Sequence, residues 1–192
     1  MIQRLLLLCL LAFPAMLPAQ CPLALDTIDR FDSTRLVMTE PISIGQLIPS
    51  LYETVDGPKI IDEGKAVFSF AEDDQSPIES FFFTIVAPEY DYLKIESGKN
   101  VILAFADSTA APLLNFPDRG TFNKDTNMRM YQHTCVVPID VYYRMAYVGV
   151  VGIRIRYETK KRTILITDEQ REALMQAVRC AGQAVKLDTA KP

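Results

Sequence analysis

The stretch YQHTCVVP, residues 131 to 138, carries the chain's only histidine, His133, two places before Cys135. A thiol and an imidazole are the raw material of nucleophilic catalysis and, with further cysteines, of a zinc site. On a strand, side chains alternate, so Tyr131, His133, Cys135 and Val137 share one face while Gln132, Thr134 and Val136 share the other. Same-face neighbours stand roughly 6.5 to 7 Å apart, twice the rise per residue, which is too far for a direct thiol to imidazole hydrogen bond. We therefore expect a satisfied, partly buried histidine beside a buried cysteine, and no catalytic residue. A zinc site would need Cys21 or Cys180 to join the pair at the expense of a disulfide, so no metal is expected.

The remaining candidates are weaker. Glu72-Asp73-Asp74 offers oxygen ligands but lacks the spaced ligands and glycine of an EF-hand, and reads as the acidic tip of a hairpin. Asp26, Asp29 and Asp32 recur every third residue, and Ile28 and Phe31 between them are expected to form an apolar anchor. Paired carboxylates for glycoside hydrolysis meet in space rather than in sequence, and the absence of tryptophan removes a common sugar platform. No GxSxG elbow, HExxH pair or phosphate-cradling glycine loop occurs, and no cofactor is expected.

The first residues read as a secretory leader. Arg4 precedes the apolar run Leu5 to Phe13, which closes on small residues and prolines, so a cut is expected after Ala19. Lipid attachment at Cys21 would need a small residue before it, where Gln20 stands. No later stretch reaches the length of a membrane span. The expected location is thus secreted or periplasmic, with residues 20–192 forming one domain. Losing Cys9 with the leader leaves Cys21, Cys135 and Cys180, an odd number that permits one bridge. Chain ends often lie close together, which favours a Cys21–Cys180 disulfide with Cys135 as the free thiol.

Without the leader the chain has 19 basic and 24 acidic residues, a balance that argues against nucleic-acid binding. The distribution is uneven: residues 20–118 carry 6 basic and 17 acidic side chains, residues 119–192 carry 13 and 7. Either the two halves complement each other internally, or Arg154, Arg156, Lys160, Lys161 and Arg162 form a basic patch for an acidic partner.

Short apolar runs rich in β-branched and aromatic residues must position these groups. VFSFA and ESFFFTIVA, residues 67–71 and 79–87, flank the acidic loop and predict a hairpin. YLKIESGKNVILAFADS, residues 92–108, predicts two strands around Ser97-Gly98-Lys99-Asn100. TAAPLLNF predicts a further strand that Pro112 confines to an edge or bulge, followed by an irregular polar segment over 117–130. In residues 150–167, Ile153, Ile155 and Tyr157 alternate with Arg154, Arg156 and Glu158, the pattern of a half-buried strand. Thr167 and Gln170 have capping-box spacing, and Leu174, Ala177, Val178 and Ala181 make an apolar stripe on a helix of about 168–181 that Gly182 would stop. These elements predict a mainly β, α+β fold: an antiparallel sheet or sandwich with a C-terminal helix packed on it.

The layout of a cysteine after the leader, then DTIDRFDSTRLVMTE, YLKIESGKNVILAFADST, PIDVYYRM, GIRIRYETKKRTILIT and a capped helix with AVRC, resembles small secreted bacterial β-rich proteins of uncharacterised function. The resemblance implies the same fold and compartment, a short helix after Pro138, and no catalytic residues to carry over. It departs at Asp107-Ser108, where an Asp-Gly turn would be expected. The function expected is a non-catalytic module binding a protein or surface partner. The alternatives are an unrecognised hydrolase or a structural or inhibitory subunit of an envelope assembly.

Overall fold

The computed structural model describes residues 21–31, 33–73 and 76–187. The expected leader, residues 1–19, lies outside them, as do Asp32 and Asp74. Among the described residues, a first group of strands comprises β1 (Leu23–Ile28), β2 (Arg35–Thr39), β3 (Ile42–Thr54), β4 (Gly57–Asp73) and β5 (Ser76–Glu89). A second group comprises β6 (Gly98–Phe105), β7 (Ala110–Pro117), β8 (Thr121–Asn123) and β9 (Met128–Val137). Helix α1 (Ile139–Tyr147), β10 (Val150–Arg156), β11 (Lys161–Leu165) and helix α2 (Asp168–Ala184) complete the chain.

All strands join one antiparallel sheet in the order β1-β2-β4-β5-β9-β7-β6-β10-β11, with β3 beside β4 and β8 beside β9. Period-two alternation turns Phe81, Phe83 and Ile85 of β5, Leu103 of β6 and Ile153 of β10 into one core. The sheet curls until β11 approaches β3. Gly45 permits this approach: its φ is +79°, and a Cβ there would stand 2.8 Å from Ile164 Cγ2 and 2.3 Å from Glu63 Oε2. Gln170 bridges the seam, accepting from the Gly45 N–H at 3.2 Å and donating to its C=O at 2.8 Å. The same side chain completes the predicted capping box with Thr167.

Helix α2 buries Leu174, Ala177, Val178 and Ala181 as the spacing predicts, and packs on β1 to β4, β10 and α1. It runs past Gly182, which is no stop. A Cβ at Gly182 would lie 1.8 Å from the Tyr142 hydroxyl, so this glycine lets α1 and α2 close on each other. Beneath them Tyr142 stacks on Phe81 at 4.7 Å, and Phe81 meets Phe68 and Phe70 at 5.6 and 5.1 Å. A disulfide joins Cys21 to Cys180 across 5.3 Å between Cα atoms, and Cys135 is free and buried.

Several local expectations are corrected. Residues 92–97 are not a strand; their backbone is answered elsewhere, by Tyr131 Oη accepting from Leu93 N at 2.7 Å and by Lys94 O accepting from Glu158 N at 3.0 Å. Pro112, by contrast, keeps to an edge as expected: it sits in the half of β7 that pairs with β6 alone, and the strand is interior only from Leu114 onward. The polar segment 117–130 contains the short β8–β9 hairpin. Ile28 and Phe31 are no anchor: β1 is an outer strand, and they are 62% and 100% exposed.

Candidate functional site

The site grows from the inward face of β9. Tyr131, His133, Cys135 and Val137 are all buried, and His133 is wholly so. The β7–β9 register sets Asn115 against Cys135. Cys135 donates weakly to Asn115 Oδ1 at 3.8 Å, which leaves the amide nitrogen to face the other way. Asn115 Nδ2 donates to Asn100 Oδ1 at 2.7 Å and lies 3.3 Å from His133 Nδ1. An amide nitrogen can only donate, so Nδ1 accepts and the imidazole proton sits on Nε2. Nε2 donates to Tyr157 Oη at 3.2 Å, and the phenol proton is then free for the Glu89 carboxylate. A bulge in the β6–β7 pairing between Gly98 and Val101 brings Asn100 to this chain of donors and acceptors.

The chain ends on charge. Glu89 is almost fully buried, with Oε2 3.1 Å from Lys160 Nζ and Oε1 facing Arg162 Nη1 at 3.0 Å, out of hydrogen-bond alignment. Arg162 also reaches Glu63 Oε1 at 3.6 Å and donates to the carbonyls of Glu63, at 2.9 Å, and Pro88. Here two carboxylates of the acidic half, Glu63 and Glu89, meet two cations of the basic half, Lys160 and Arg162.

Burial lowers the His133 pKa to about 4, against the opposing pull of Asp118 and Glu89. Burial alone pushes the Cys135 thiol up to about 12. Tyr157 is held well above its ordinary range by burial first, with the Glu89 charge and hydrogen bond adding to it. At neutral pH the site therefore holds a neutral imidazole with both nitrogens engaged and a protonated thiol, an arrangement that braces strands and offers no activated nucleophile.

The five residues of the expected basic patch are divided, four by strand alternation and Lys160 by the turn that precedes β11. Lys160 and Arg162 turn toward Glu89. Arg154, Arg156 and Lys161 are exposed on the outward face, where cross-strand pairing sets Arg156 opposite Lys161 and Arg154 opposite Thr163. Beside them lies a mainly apolar groove of about 300 Å³ lined by Ile102, Ala104, Gly152 and Leu165, with Arg154 and Thr163 at its wall. A second cleft, of about 350 Å³, lies where residues 94–100 meet the end of β10, with Asn100 and Tyr157 in its lining.

Sequence reasoning named His133 and Cys135 but missed Asn100, Asn115, Tyr157 and Glu89. One signal was present: in ESFFFTIVAPE, Glu89 falls on the same alternating phase as Phe81, Phe83, Ile85 and Ala87. A carboxylate on the apolar phase of a strand implies a buried partner. Among the described residues no group of three or more His, Cys, Asp or Glu side chains could hold a metal ion, and no helix is long and apolar enough to cross a membrane. No protein-family model, curated protein or solved structure matches the chain.

Proposed function

We propose that this protein is a non-catalytic secreted or periplasmic module that binds a protein or surface partner through the outward face of β6, β10 and β11. One observation carries the reading: Arg154, Arg156 and Lys161 form no ion pair among the described residues and stand beside an apolar groove whose Leu165 is 64% exposed. Exposed cations around an apolar floor suit a partner with acidic and apolar groups. The engaged imidazole and protonated thiol support the non-catalytic part, and the Cys21–Cys180 bridge supports an oxidising compartment.

The test is capture from the envelope and extracellular fractions of the producing cells, comparing the native chain with Arg154→Ala/Lys161→Ala/Leu165→Ser. The expected result is recovery of a discrete partner, at least about tenfold weaker for the variant and with a flatter salt dependence. Equal recovery by both chains would overturn the reading.

A further inference from the structure

The second cleft, at the end of β10, has walls from two segments distant in sequence, 94–100 and 156–158. Its cations are unequal. Lys94 is answered by Glu96 at 3.3 Å and Glu158 at 3.5 Å. Lys99 and Arg156, which also line the cleft, form no ion pair among the described residues.

Those two cations are carried on segments that cannot drift apart freely. Asn100, next to Lys99, donates to Glu96 O at 2.6 Å and accepts from Asn115. Tyr157, next to Arg156, is bonded to His133. Asn115 and His133 are bonded to each other, so the buried chain runs from one wall of the cleft to the other. The backbone bond from Glu158 N to Lys94 O closes the loop on the outer side. Burying an amide and an imidazole in an apolar core costs free energy that aliphatic side chains would avoid, so such a chain calls for a purpose. Fixing two charged walls before a ligand arrives is one, because a preset site forfeits less entropy on binding.

We propose that this cleft is a binding site for a compact oxyanion, a phosphate or carboxylate group gripped between Lys99 and Arg156. A volume of about 350 Å³ admits a small metabolite-sized anion. The cleft shares Arg156 with the proposed partner face but none of the groove's lining, and Lys99 takes no part in that face.

The test titrates the folded chain separately with inorganic phosphate and with succinate, following backbone amide shifts by NMR. Saturable shifts confined to residues 96–100 and 156–158 are expected. In Lys99→Ala/Arg156→Ala, affinity should fall at least about tenfold. In Arg154→Ala/Lys161→Ala, which removes the same charge outside the cleft, it should change less than about twofold. Saturation by phosphate alone assigns a phosphoryl ligand, by succinate alone a carboxylate, and by both an unselective oxyanion site. No saturation up to the order of 10 mM, or equal weakening in both double variants, overturns the proposal.

Discussion

The two faces of the β10–β11 hairpin carry the same kind of residue to opposite ends. Arg162 points inward, where Glu89, Glu63 and two backbone carbonyls surround its guanidinium. Arg154, one strand away and on the other face, has among the described residues only the Thr163 hydroxyl, at 3.1 Å, in an exposed setting. The difference teaches that a run of basic residues is not a patch until alternation has sorted it. Two of the five charges in this run, Lys160 and Arg162, hold the curled sheet together, and the other three face solvent or a partner.

The sharpest way to break the comparison is to remove the shared inner anion. Glu89→Ala leaves Lys160, Arg162 and the Tyr157 hydroxyl facing an empty position, and should cost about 4 kcal/mol of stability in denaturant unfolding. A loss under about 1 kcal/mol would mean that the inner cations find water as readily as the outer ones.

Acid should act next, through His133. In the unfolded chain this imidazole titrates near 6.5, and in the folded one only near 4. The unfolded state therefore binds the extra proton between those values. Its contribution is fully present above about pH 6.5 and is lost as pH falls toward 4, amounting to about 3 kcal/mol. No other histidine confuses the readout, so His133→Asn should flatten the stability profile between pH 6.5 and 5. An unchanged slope would sink the assignment.

Tyr157→Phe is a milder cut. It removes one hydroxyl and leaves His133 Nε2–H and Glu89 without that partner, at a cost of about 2 kcal/mol by thermal or chemical unfolding. On the outer face, Arg154→Ala should change stability by less than about 0.5 kcal/mol. A larger effect would show that the outward cations brace the fold as the inward ones do.

Local grammar was legible in the sequence, and long-range meeting was not. The alternation of Ile153, Ile155 and Tyr157 set the inner face of β10, and Thr167 with Gln170 marked the start of α2, because each pattern is written within one element. Gly182 misled because its smallness serves Tyr142, forty residues earlier, rather than the end of its own helix. The strand pattern of residues 92–97 misled because Tyr131 and Glu158 supply its backbone partners, which no local rule anticipates. The site itself draws on β5, β6, β7, β9 and the end of β10. Strand β9 lies between β5 and β7 in the sheet, a neighbourhood that the order of the chain does not announce.

The bond between Cys21 and Cys180 spans 159 positions of sequence and fastens the segment before β1 to α2. Tension applied on either side of these two cysteines would pass from one sulfur to the other and leave the eleven strands slack. The oxidised protein would then behave as a short, inextensible link. Under reducing conditions the same pull would bear directly on β1, an outer strand bonded on one side to β2, and on α2.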